Sequence, residues 1–534
     1  MRMIRSESKW GSHLSIGSNR RMWPILVVFL GPCAHVLIAQ NANPDTILQQ
    51  IQKLTDAIAI TQAQLEQSQR QISEMQKQLK ALQQQVAQSG SKETNSTHPV
   101  SASSENASQS QPAETASQIQ EIRDQQSMTE SQIATQEQTK VESESKYPVK
   151  ITGLLLFNGF VNTGGVDMAA TPTLAVPGSG STGASVRQTV LGFDARGPHL
   201  FGARSYADLR VDFNGAPQSN VDASSYSGPY SSNSAMLRLR TAHAGLEWDH
   251  TVAYFALDRP IVSPDTPTSL TAVAEPALAW SGNLWTWNPQ AGLRQDIPLS
   301  PSRDLQFEAA LIDVGDAPLS PASFYPGATP TTSPSSAEQS HWPGAEARIA
   351  LVGSGPGEDS GDHFGLGGYF APHRVLGYQG FDSWAASADA RLLLPARFEL
   401  TGSGYRGLAL GGLGGGAYKD YGYVADPNGG AYYLTPLDDA GGWVQLKEKI
   451  SSRVELNGAF GMDDAFASEV RRISSPGGTI FQNLSRNQTV TGNVIYKPSL
   501  YLLFSLEYRH LVSYPVFSSP TGSNVIGLGA GFKF

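Results

Sequence analysis

Charge is scarce in this chain. Only 16% of its 534 residues are Asp, Glu, Lys or Arg, against about 25% in soluble globular proteins. A single cysteine excludes a disulfide scaffold. Lys and Arg number 38 against 47 Asp and Glu, so no basic surplus exists to grip a nucleic-acid backbone. Beyond residue 40 no apolar run reaches the roughly 18 residues of a membrane-spanning helix. Hydrophobic residues are only 40%, while Gly contributes 53 positions. A large chain short of both charge and apolar side chains is not an ordinary multidomain globule.

Signatures of chemistry are missing too. There is no His-Glu-x-x-His, Gly-x-Ser-x-Gly or P-loop sequence. The ten histidines show no metal-ligand spacing. Gly411 to Gly416 is glycine-rich but leads into Tyr418, Lys419 and Asp420 instead of a dinucleotide helix, and reads as a flexible extracellular loop. No enzyme activity, cofactor or metal is expected. A barrel enzyme with residues on neighbouring strands would leave no local motif, which keeps that alternative in view.

The amino-terminal 146 residues divide in three. Arg2, Arg5, Lys9, Arg20 and Arg21 precede a short apolar stretch broken by Pro24 and Pro32 and ending at Ala39, the pattern of a secretory signal peptide. An uncleaved anchor is the alternative. Cleavage near Ala39 removes Cys33, which suits an oxidising compartment. Over 40–88 an alternating 3-4 spacing places Ile51, Leu54, Ile58, Leu65, Ile72 and Leu79 on one narrow seam. Ile and Leu on both core lines lean toward a three-stranded coiled coil, although Thr61 and Ser68 weaken its middle. A solitary helix folded back on its own domain is the other reading. Residues 89–146 are Ser- and Gln-rich and read as a flexible periplasmic linker.

From Tyr147 to Phe534 the chain alternates. Leu209, Val211 and Phe213 share one face of a segment, and Arg204, Asp208, Arg210 and Asp212 the other. Leu237 and Leu239 alternate in the same way with Arg238 and Arg240. Segments of about ten residues are joined by short turns on one side, such as Trp248-Asp249-His250 and Ser300-Pro301-Ser302. Long Gly/Pro/Ser-rich connections stand on the other, at 163–184, 214–233, 259–287, 316–342, 411–440 and 463–486. This asymmetry marks a transmembrane antiparallel β-barrel of about 16 strands, so the fold class is all-β behind an N-terminal coiled-coil helix. The last segment alternates to Phe532 and Phe534, resembling the terminal signal read by the barrel-assembly machinery. Outer-membrane lipid is then the surrounding partner, and nucleic acid is not one.

About sixteen strands leave an aqueous channel, whose selectivity depends on width and lining charge. Alternation points Arg204, Asp208, Arg210, Asp212, Arg238 and Arg240 inward. These arginines either attract anions through a planar fork or merely neutralise the neighbouring carboxylates. The connection from Arg259 to Trp287 is apolar and proline-stiffened for its length, as a segment packed inside a barrel would be. It is read as a constriction element with Asp258, Arg259, Asp265 and Glu275 as its charged members.

Heptad helix, polar linker and then Tyr147-Pro148-Val149-Lys150-Ile151-Thr152-Gly153 opening a barrel resemble the DcaP-like porins, and more loosely the phosphate-selective porins. Leu237 to Thr241, Ser263 to Leu270, Asn283 to Pro289 and Gly442 to Lys447 are similar to acidobacterial members. The resemblance implies a homotrimer, a periplasmic coiled coil, and passive uptake of small, often anionic, solutes. A structural envelope tether or adhesin anchored by a barrel is the alternative function.

Overall fold

The computed structural model describes residues 149–215, 236–319, 334–353, 361–375, 379–425 and 432–534. The expected signal peptide, the seam from Ile51 to Leu79 and the linker lie outside the described residues. Strands β1 (Val149–Val166), β2 (Ala175–Ser185), β3 (Val190–Leu200), β4 (Ala203–Gly215), β5 (Met236–Glu247) and β6 (Thr251–Asp258) come first. They are followed by β7 (Asn288–Ser300), β8 (Arg303–Ile312), β9 (Gly344–Gly353), β10 (His363–Val375), β11 (Gln379–Leu393) and β12 (Phe398–Leu408). A small separate hairpin, β13 (Tyr421–Ala425) and β14 (Tyr432–Pro436), precedes β15 (Asp438–Lys449) and β16 (Val454–Ala465). Two short helices, α1 (Ala467–Ile473) and α2 (Ile480–Asn483), lead into β17 (Leu484–Tyr496), β18 (Leu502–Pro515) and β19 (Thr521–Lys533).

All strands but the hairpin pair form one antiparallel sheet, and β19 pairs with β1 to close it. Both β2 and β3 run along the same side of β1, through Asn158↔Ser185 and Leu154↔Val190, and are one stave interrupted between Ser185 and Val190. The barrel therefore has sixteen staves. Closure leaves no sheet edge to be satisfied.

Alternation sorts the staves as expected. Leu237, Leu239, Phe504, Leu506, Ile526 and Leu528 lie exposed on the outer wall, while Ser505, Glu507 and Arg509 between them are buried. Apolar side chains on the outside would be unfavourable against water by about 25 cal/mol per Å², so this wall needs hydrocarbon around it. The packed core lies within the lumen. The short turns fall where the sequence places them, with Trp248 N–H donating to the Thr251 carbonyl at 2.8 Å to close one of them.

One connection is a correction. The stretch 163–184, expected as a long loop, is mostly strand: β1 continues to Val166 and β2 begins at Ala175. Its Gly, Ser and Thr residues resemble loop composition, but small side chains pair against β1 without crowding. The final residue joins the wall as well. Gly153 and Phe534 exchange two backbone hydrogen bonds of 2.9 and 3.0 Å, and the Phe534 ring lies near that of Phe532, centroids 6.5 Å apart.

Candidate pore and its inward connections

The connection from Arg259 to Trp287 leaves β6, the fifth stave, and crosses the lumen. Its backbone is held by inward side chains from around the barrel. Ile261 N–H donates to Glu346 at 2.9 Å on β9. The Asn158 amide donates to the Leu270 carbonyl at 3.0 Å from β1. Ser269 and Thr271 hydroxyls donate to Glu507 on β18 at 2.5 and 2.6 Å. Gln188, in the break between β2 and β3, donates to the Thr271 carbonyl and accepts from Val273 and Ala274 N–H. That break frees a fully buried amide to reach the loop. On the far side, Asn487 on β17 donates to the Trp280 carbonyl at 3.0 Å.

Close backbone approach completes the docking. Gly282 has φ +92°, a left-handed conformation that favours glycine. A Cβ there would overlap the carbonyls of Gly442 and Met462, and one on Gly461 would overlap the Ser281 carbonyl. The loop lies directly on the backbone of β15 and β16.

A second inward segment was not legible in the sequence. Residues 409–420, which include the Gly411 to Gly416 run expected as a flexible extracellular loop, are buried throughout. Gly416 and Ala417 N–H donate to Asp439 and Asp463 on the inner wall at 2.7 and 2.6 Å. Leu413 C=O accepts from Trp285 N–H at 3.0 Å. The Lys419 ammonium donates to the carbonyls of Ala417, Leu484 and Phe481 at 2.8, 3.0 and 3.1 Å. Burial pushes its pKa down to about 7, against the opposing pull of Asp463. Inward carboxylates that satisfy backbone N–H groups are what turn a glycine-rich loop into a packed one.

The two connections divide the lumen unequally. Where the loops rest on the wall, ion pairs are sealed. The Arg348 and Asp389 side chains, joined by two bonds of 2.6 and 2.9 Å, are 6% and 0% exposed. Across the barrel, Arg210 and Asp194 pair at 2.6 Å yet remain 32% and 33% exposed, and Arg294 is 41% exposed. Solvent therefore reaches the wall from β3 to β7.

The expected lining residues separate into distinct roles. Arg238 grips Asp212 through bonds of 3.1 and 2.7 Å and donates to the Ala274 carbonyl. Arg240 reaches the same carboxylate at 3.3 Å. Both guanidiniums lie 5.0 Å from the Trp287 ring centroid. Two cations on one buried carboxylate leave a net positive charge beside the loop, so neutralisation is incomplete here. Arg204 is different: it stands exposed near the short-turn rim, paired with Glu247 at 3.0 Å.

Of the expected loop charges, Asp258 is the last residue of β6 and binds His243 at 2.9 Å. Arg259 donates to Pro264 C=O within the loop. Asp265 is consumed by Arg391 at 2.5 Å and His363 at 2.8 Å. Glu275 accepts no hydrogen bond among the described residues. Burial raises its pKa to about 7, with Arg238 opposing and Asp167 and Asp212 adding to the rise.

His243 is the lining residue that alternation misses. Its two ring nitrogens lie 2.9 Å from Asp208 and 2.9 Å from Asp258. Counting by twos from Arg238 and Arg240 points His243 outward. A bulge shifts the register between Arg210↔Thr241 and Val211↔Leu239, and this reverses the facing of everything beyond it.

Neither a protein-family profile nor a curated protein matches the sequence. Solved structures do. The outer-membrane channel DcaP of Acinetobacter baumannii superposes with a TM-score of 0.52 at 14% identity, over 74% of this chain and 99% of that one. The fold is that of an outer-membrane channel. More distant are an anion-selective porin from Comamonas acidovorans, TM-score 0.41 at 11% identity, and Pseudomonas putida OprB, 0.39 at 11%. They cover 73% and 72% of this chain, and 100% and 94% of their own lengths.

Proposed function

We propose that this protein is a homotrimeric outer-membrane porin, a passive diffusion channel for small hydrophilic and preferentially anionic solutes. The reading rests on the unequal division of the lumen. Two inward connections fill one side, the solvent-facing wall they leave carries Arg210 and Arg294, and Arg238 and Arg240 stand where the connection 259–287 meets that wall. The connection 259–287 acts as the constriction, with Glu275 as its titrating member. The N-terminal heptads hold the trimer from the periplasm, and the terminal Phe532 and Phe534 serve insertion by the barrel-assembly machinery.

Reconstitution of the full chain in planar bilayers tests this. Conductance steps that close in groups of three are expected, and an absence of steps would remove the pore reading. In a salt gradient the reversal potential should report anion preference, and cation preference would overturn that part alone.

A further inference from the structure

On the outer wall, Gly458 of β16 stands directly opposite Gly492 of β17. The missing side chains open a furrow of about 500 Å³, walled mainly by Leu446, Leu456, Val494, Leu506 and Tyr508, floored by the two glycines, and bordered by Glu448 toward the short-turn end of β15. A Cβ on Gly458 would meet nothing within 4 Å, and one on Gly492 only the Asn457 carbonyl at 3.8 Å. Packing within the barrel does not require glycine at either position. Six residues up β17 toward the long-loop rim is Arg486. Its Nε donates to Asp464 at 3.0 Å and its guanidinium lies 5.3 Å from the Tyr514 ring centroid. Both terminal nitrogens are without a hydrogen bond among the described residues, and the side chain is 41% exposed.

Six strand residues span about 20 Å. On staves tilted by roughly 35–45° this is about 15 Å of depth, half of the hydrocarbon core of a bilayer. A cationic fork thus stands one acyl-chain length above an apolar furrow on the same stave.

We propose that β15–β18 carry a binding site for one phosphate-bearing outer-leaflet lipid, its phosphate on Arg486 and an acyl chain in the furrow at Gly458 and Gly492. The proposal rests on the membrane orientation of the porin reading but not on conduction. A planar guanidinium with two free donors matches phosphate geometry, and the stacked Tyr514 ring holds it in place. The furrow supplies dispersion contacts that a smooth wall would not.

The test uses the detergent-solubilised full chain, incubated with phosphatidylglycerol or with diacylglycerol of the same chains, and native mass spectrometry to count bound lipid. Wild type is expected to retain one phosphatidylglycerol per chain in preference to diacylglycerol. Arg486→Gln should weaken phosphatidylglycerol retention about tenfold, the scale of one charge-assisted pair, and leave diacylglycerol unchanged. Gly458→Leu should weaken both. Both variants should keep wild-type single-channel conductance, which reports an intact barrel. Equal retention of the two lipids by wild type, or wild-type retention by either variant, overturns the site. If Gly458→Leu instead breaks the oligomer, the furrow is a subunit contact and the proposal fails. Lipid retention by a chain that does not conduct would defeat the porin reading and leave the lipid site standing.

Discussion

Trp280 lies flat on Tyr418, ring centroids 4.1 Å apart and planes 16° from parallel. The rings belong to different inward connections, separated in sequence by the six staves β7 to β12. Around them Leu174, Ala279, Trp285, Leu437, Val470 and Leu484 form one buried cluster. The connection 259–287 and the glycine-rich segment are therefore parts of a single core inside the barrel, and each keeps the other in position.

Removing one ring should release both. Tyr418→Ala deletes a buried aromatic, a change that costs about 3–5 kcal/mol in a packed core, and removes the phenol that lies 2.6 Å from the Thr173 hydroxyl, leaving that hydroxyl only its bond to Asp167. The wall hydrogen bonds are untouched, so the expected result is local: larger, noisier conductance steps and new protease cleavage within 259–287 and 409–425. Conductance and protease resistance like wild type would show that the two segments are held independently.

Backbone contact between loop and wall makes a second prediction. Gly461→Ala places a methyl group against the Ser281 carbonyl, and the contact is backbone, which cannot swing aside. The stave itself tolerates alanine, since strands accept it at small cost. Conductance should rise while the folded barrel keeps its heat-resistant mobility on a gel. Loss of that mobility would mean that Gly461 is needed by the wall and not by the loop.

The paired arginines give a third. Arg238→Gln with Arg240→Gln removes both cations from Asp212 and from the Trp287 ring, exposing a carboxylate beside the constriction. The anion-to-cation permeability ratio should fall several-fold, since a charge in a narrow, partly desolvated passage acts at low effective dielectric. Arg204→Gln, near the short-turn rim and paired with Glu247, serves as the control and should leave the ratio unchanged. Equal effects from both variants would place selectivity in the overall field of the lumen and not at the loop.

These sites were unequally legible in the sequence. Period-two alternation marked the wall, and the apolar, proline-stiffened composition of 259–287 marked it as a segment packed inside the barrel, because each is a local pattern. Alternation missed His243 because one bulged residue inverts the facing of all that follow, and a bulge leaves no mark in composition. It misread residues 409–420 because Gly-rich sequence is compatible with both a mobile loop and a tightly packed one. What decides between them is Asp439 and Asp463, which stand on staves more than twenty residues away. The Ser/Gly run of β2 failed in the opposite direction, since pairing with β1 overrides its weak strand propensity.

On the proposed anion preference, Glu275 is expected to couple selectivity to pH. It lies in the inward connection, outside the spanning staves, and its carboxyl titrates near 7. Below that value it is neutral, and Asp212 alone offsets the Arg238 and Arg240 charges. Above it the carboxylate adds a negative charge beside Arg238, so anion preference should fall as pH rises from about 6 to 8. Stability should move the same way. The folded carboxyl binds its proton more tightly than the ordinary value of 4.5, so stability declines as pH rises from 4.5 toward 7 and the cost is complete above 7. Reversal potentials of wild type and Glu275→Gln, measured at pH 6 and pH 8, isolate the effect. The variant should hold the low-pH anion preference at both values. A wild-type shift that survives in Glu275→Gln would assign the pH response to another group.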